Sequence, residues 1–169
     1  MAATSRANAR GISTATASDG KAARILAIDY GRKRIGLALS DELGITAQPL
    51  LTLSRVNRRQ DLRRLREICR QYGVAHILLG HPLHITGEAG EMAQEVGRFA
   101  ARLRTALGIE IELVDERLTT WEAEQTLAEM KSSSRRKRTS VDDVAAALLL
   151  REYLDRRRTP SSRSKAETE

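Results

Sequence analysis

Apolar residues change spacing several times along the chain, and each change marks a predicted element. At Arg24 a polar leader gives way to Ile25-Leu26-Ala27-Ile28, a continuous apolar run of the kind carried by strands buried on both faces. The run stops at Asp29. After Tyr30-Gly31-Arg32-Lys33-Arg34 comes a second run, Ile35-Gly36-Leu37-Ala38-Leu39-Ser40, and an antiparallel hairpin is the expected connection. A third extended piece, Gln48 to Leu53, is expected to continue the meander. Residues 58–72 switch to helical spacing, with Leu62, Leu65, Cys69 and Tyr72 on one face and arginines around it, and Gly73 is a natural stop. A short strand from Ala75 to Leu79 runs into Gly80-His81-Pro82. A long helix follows, with Met92, Val96, Phe99, Leu103 and Leu107 in register, and Gly108 ends it. Ile109 to Val114 reads as the next strand, and the last third as two helices, the second from Val141 to Arg157.

This succession predicts an α/β domain, a mixed sheet of about five strands flanked by helices with at least one antiparallel pair. A chain of 169 residues accommodates one such domain, placed at 24–157. Residues 1–23 and 158–169 are expected to be disordered extensions. The basic, serine-rich segment 131–139 is expected to be a mobile loop.

Charge narrows the choice of partners. The net charge is +7, of which +5 falls on residues 24–158, so a phosphate polymer is a natural partner. Aromatic residues make up only 3%, which leaves the core to Leu, Ile, Val and Ala and leaves few platforms for stacking bases. The single cysteine, Cys69, rules out an internal disulfide and points to a reducing compartment. No apolar run approaches the roughly 18 residues of a membrane span.

Candidate chemistry lies at the strand ends, where ligands meet α/β sheets. Asp29 closes the first strand and Glu116 follows the strand 109–114; where the first strand neighbours the later parallel ones, those ends can lie side by side. Clustered carboxylates in a basic protein call for a hard divalent cation, Mg²⁺ or Mn²⁺. Zinc has little support, because His76, His81, His84 and Cys69 offer no recognised ligand spacing, and His81 and His84 are expected to line a loop. A third acid is offered by Asp142 or Asp143 at the start of the last helix. Ser140 with Asp143 makes a capping-box-like pair, both acids flank the apolar stripe, and periodicity does not choose between them.

Four segments then resemble one family in order and spacing: Asp29-Tyr-Gly31 with Arg34-Ile-Gly36-Leu-Ala, Gly80-His-Pro82-Leu, Asp115-Glu116-Arg117-Leu-Thr119-Thr120, and Val141-Asp142-Asp-Val-Ala145-Ala146. They resemble the YqgF family, also called RuvX-type, over residues 24–156. The resemblance implies a ribonuclease H-like fold, a cytoplasmic location, and a nuclease that processes the 5′ end of precursor 16S rRNA or resolves Holliday junctions. It also implies a catalytic and metal-binding triad of Asp29, Glu116 and Asp142, selecting Asp142 over its neighbour. Beside these acids, Gly31, Arg32, Lys33, Arg34, Arg117, Thr119 and Thr120 are candidates for nucleic-acid contact. Partners expected on this reading are structured RNA or branched DNA, with ribosome association and a homodimer as further expectations. A non-catalytic RNA- or ribosome-binding protein on the same scaffold is the alternative. An actin-like sugar kinase is disfavoured, since such proteins close two similar domains on a nucleotide.

Overall fold

The computed structural model describes residues 23–82, 90–115 and 141–158. Five strands form one sheet: β1 (Arg24–Tyr30), β2 (Arg34–Ser40), β3 (Ala47–Ser54), β4 (Val74–His81) and β5 (Glu110–Asp115). Their order is β3-β2-β1-β4-β5. β1 pairs antiparallel with β2, and β2 with β3, so the expected hairpin and meander both form. β4 lies parallel to β1 and to β5. The helices are α1 (Arg58–Tyr72), α2 (Glu91–Leu107) and α3 (Val141–Arg158).

The pleat of β1 explains why helices cover both faces of the sheet. Leu26, Ile28 and Tyr30 join Leu65, Val96, Phe99 and Leu103 in the core beneath α1 and α2. The alternate residues Ile25 and Ala27 pack with Ala38, Leu78, Ala146 and Leu150 beneath α3. A strand buried on both sides has no polar face to display, hence its unbroken apolar sequence. Each Leu or Ile so buried contributes roughly 1.5–3 kcal/mol.

Local signals fix the helix ends. The Asn57 side chain accepts a hydrogen bond from the Gln60 amide, which caps α1. Gly73 and Gly108 end α1 and α2 in the left-handed region, at φ 64° and 65°.

Several expected boundaries shift. β1 extends through Asp29 to Tyr30, because Asp29 pairs with Gly36 and Tyr30 with Ile35. β4 takes in His81, which therefore ends a strand and does not line a loop; its Nε2 lies 3.2 Å from the Ala93 carbonyl. α3 runs one residue past its expected end, to Arg158. The leader up to residue 22, the segment 131–139 and the tail from 159 lie outside the described residues.

Candidate active site at the carboxyl end of the sheet

Asp29 is half-buried near the carboxyl end of the central strand. By the alternation of β1 it shares the face of Ile25 and Ala27, which pack under α3. Its partner across the hairpin is Gly36. A Cβ on Gly36 would collide with the Asp142 carbonyl and come within 2.8 Å of the Asp143 amide nitrogen. The missing side chain at Gly36 thus lets the first turn of α3 rest directly on the sheet, beside the strand position that carries Asp29.

That seating separates the two acids that periodicity leaves equivalent. Asp143 is buried, only 5% exposed. Asp142 stays half-open at the rim, its Oδ2 3.3 Å from Nε of Arg34. Asp29 and Asp142 therefore border the same glycine, and Arg34, two residues before it, supplies a counter-charge.

Glu116, Arg117, Thr119, Thr120 and His84 lie outside the described residues. The strand leading to Glu116 is described, and it is not β1's neighbour: β4 lies between, so the ends of β1 and β5 are two strand spacings, about 10 Å, apart. The ends still reach the same edge of the sheet. Ile28 of β1 is level with Leu79 of β4, and His81 of β4 with Asp115 of β5.

The turn between β1 and β2 is held from behind. The Gly31 amide donates to the Arg34 carbonyl at 2.9 Å, and a Cβ on Gly31 would stand 2.6 Å from that same oxygen, so the turn requires glycine. Arg55, which follows β3, donates to the Tyr30 hydroxyl at 2.8 Å and to the Gly31 carbonyl at 3.1 Å, and pairs with buried Asp61 at 3.2 Å. Tyr30 in turn donates to Glu95 at 2.8 Å. That hydrogen bond, with help from Arg32, lowers the Glu95 pKa, while burial raises that of Tyr30. Arg32 bridges Glu91 and Glu95, and Lys33 is exposed. Of the basic turn, then, Arg32 and Arg34 already have carboxylate partners.

Arg55, Asp61 and Glu95 escaped the reading of the sequence. An acid in a first helical turn reads as a helix-dipole partner, and a lone loop arginine as solvated charge. Only the fold shows that Arg55 and Glu95 meet at one tyrosine and that Asp61 holds the arginine there.

A sheet in this order, antiparallel through its first three strands and parallel thereafter, with an acid near the carboxyl end of the central strand, defines the ribonuclease H-like fold. The fold of a T. thermophilus RuvC in complex with Holliday junction substrate is similar, with a TM-score of 0.50 at 16% identity over 80% of this chain and 96% of that one. The chain belongs to the RuvX family, whose description is "Holliday junction resolvase" and whose profile matches residues 23–156. A relative from Syntrophus aciditrophicus, named "Putative pre-16S rRNA nuclease", is 48% identical over 132 residues, covering 78% of this chain and 88% of its own. One of the same name from Moorella thermoacetica is 45% identical over 133 residues, covering 79% and 95%.

Proposed function

We propose that this protein is a divalent-metal-dependent nuclease that hydrolyses phosphodiester bonds at the 5′ end of precursor 16S rRNA, with Asp29, Glu116 and Asp142 as its metal-holding carboxylates. The observation that carries the reading is the meeting of Asp29 and Asp142 at Gly36, which sets two acids from distant parts of the chain on one face of one strand end. The substrate comes from the name that these two relatives share. The setting proposed for it is cytoplasmic and ribosome-associated. Among the described residues no helix is long and apolar enough to cross a membrane.

The donor set fits a hard cation. Its candidates are carboxylates only, and the Arg34 guanidinium now against Asp142 offsets negative charge that a metal would otherwise neutralise. When bound, one or two Mg²⁺ or Mn²⁺ ions supply an activated water and a charge partner for the leaving oxygen. Asp29 and Asp142 act as holders and not as nucleophiles. Arg34, released from Asp142, can turn its guanidinium to a substrate phosphate. The Gly31 turn, braced by Arg55, keeps Lys33 at the rim of the same strand end.

A second reading, resolution of four-way DNA junctions, rests on the family's description. It requires two active sites on opposing strands, hence a homodimer. The deciding experiment is a cleavage panel with Mg²⁺ or Mn²⁺ on a precursor 16S 5′ end, a four-way DNA junction and linear duplexes, with Asp29→Asn as the control. Cutting of the RNA end alone, abolished by Asp29→Asn, is the expected result. Cutting of the junction alone transfers the assignment to the second reading, and undiminished cutting by Asp29→Asn removes the carboxylate site.

A further inference from the structure

Behind the sheet end that carries Asp29, on the face turned away from α3, a cleft of about 230 Å³ opens between α1 and α2. Its floor is apolar, with Leu62 and Phe99 beside Tyr30. Its walls are basic: Arg58 from the first turn of α1, and Arg98 and Arg102 one turn apart on α2. All three are exposed, and none forms an ion pair with a described residue. The two carboxylates of the cleft already have other partners, Asp61 in Arg55, which also lines the cleft, and Glu95 in Tyr30 and Arg32. Three guanidiniums therefore line the opening without an acid of their own among the described residues.

We propose that this cleft is a second nucleic-acid site, which grips the phosphate backbone of a duplex flanking the bond to be cut. The proposal rests on the nuclease reading and extends it to the substrate's shape. Guanidiniums take phosphate oxygens in bidentate pairs, and Arg98 and Arg102, about 6 Å apart along α2, can take separate phosphates. The aromatic rings here, Tyr30 and Phe99, are buried, so bases have nothing to stack on and a backbone-reading, duplex-binding surface is what remains. Tyr30 lines the cleft while its neighbour Asp29 faces α3. A ligand that reaches both sites must bend round the strand end, which a single nucleotide is too short to do.

The test is equilibrium binding of a fluorescein-labelled 24-base-pair RNA duplex, in EDTA so that no cleavage intrudes, over a series of KCl concentrations. Arg58→Gln/Arg98→Gln/Arg102→Gln should bind at least about tenfold more weakly at 100 mM KCl, with a salt slope lower by roughly two to three. The matching triple lysine variant should keep most of that slope. Arg151→Gln/Arg157→Gln/Arg158→Gln, which removes the same charge from the far part of α3, should stay within about twofold of the parent. Thermal melts confirm that each variant is folded. Equal binding by the cleft variant and the parent overturns the proposal, as does an equal loss in the α3 variant, which would mean that net charge alone acts. If the parent cuts in the cleavage panel while the cleft variant binds normally, the second site falls and the nuclease reading stands. If the parent neither binds the duplex nor cuts, both fall.

Discussion

Substituting Gly36 by alanine adds one methyl group at the point where α3 rests on β2. In an ordinary strand that change is mildly favourable, by roughly 0.5–1 kcal/mol, because glycine loses more freedom on folding. Here the new Cβ meets the Asp142 carbonyl and the Asp143 amide, both backbone, and neither can rotate away as a side chain would. The first turn of α3 must lift, and overpacking of this kind costs typically 1–3 kcal/mol. With contacts this close the upper part of that range applies, for a net loss of about 2 kcal/mol. For a domain of this size that is a fall in Tm of about 6 °C. Lifting the turn also carries Asp142 away from Asp29, and a displacement near 1 Å at a reacting centre can cost about a hundredfold in rate. Gly97 provides the contrast: it lies within α2, and a Cβ there would meet nothing within 4 Å. Gly97→Ala should therefore gain about 0.5–1 kcal/mol through helix propensity and leave cleavage alone. Urea unfolding followed by circular dichroism, paired with Mg²⁺-dependent cleavage rates, reads both variants. A Gly36→Ala protein as stable and as active as the parent would refute the seating of α3.

The two neighbouring acids should part company: Asp142→Asn should lose cleavage with little change in melting temperature, whereas buried Asp143→Asn should lose about 1–3 kcal/mol of stability. Calorimetry of both variants beside their cleavage rates checks this, and the reverse pattern would exchange their roles. Replacing Arg55 by Met leaves the Asp61 carboxylate buried without its guanidinium and should cost about 3 kcal/mol in chemical denaturation; a loss under about 1 kcal/mol would show that the backbone donors of Asp61 suffice. Burial pushes the Cys69 thiol up to about 11, so it stays protonated in the folded protein near neutrality. A thiol reagent at pH 8 should therefore label it no faster than the chain opens, and rapid stoichiometric labelling of the native protein would contradict its place in the core.

The hairpin and the parallel strands were legible because their signals are local. A continuous apolar run bounded by Gly31 and basic residues can be little else than a buried strand turning back. Asp29 stood out for the same reason, as the first charge after such a run. The position of β4 between β1 and β5 was not legible, since strand order is set by which helix covers which face and not by any residue within a strand. The choice between Asp142 and Asp143 was hidden likewise. It depends on Gly36, more than 100 residues away, and on a contact made by an absent side chain. The Arg55, Tyr30 and Glu95 cluster needs three elements in place before it is complete.

The alternation of β1 has a consequence for how this protein can change. Asp29 and Tyr30 are consecutive, yet they project to opposite sides of the sheet, one toward α3 and the other toward the bed of α1 and α2. Deleting one residue upstream, within Ile25 to Ile28, would turn the carboxylate into the oily layer and the ring out to the rim in a single stroke. Point substitutions from Ile25 to Tyr30 should thus fall into two interleaved series with unrelated phenotypes, whereas a one-residue insertion or deletion there should abolish both roles at once. Lineages of this fold can therefore drift in composition along the strand but not in its length.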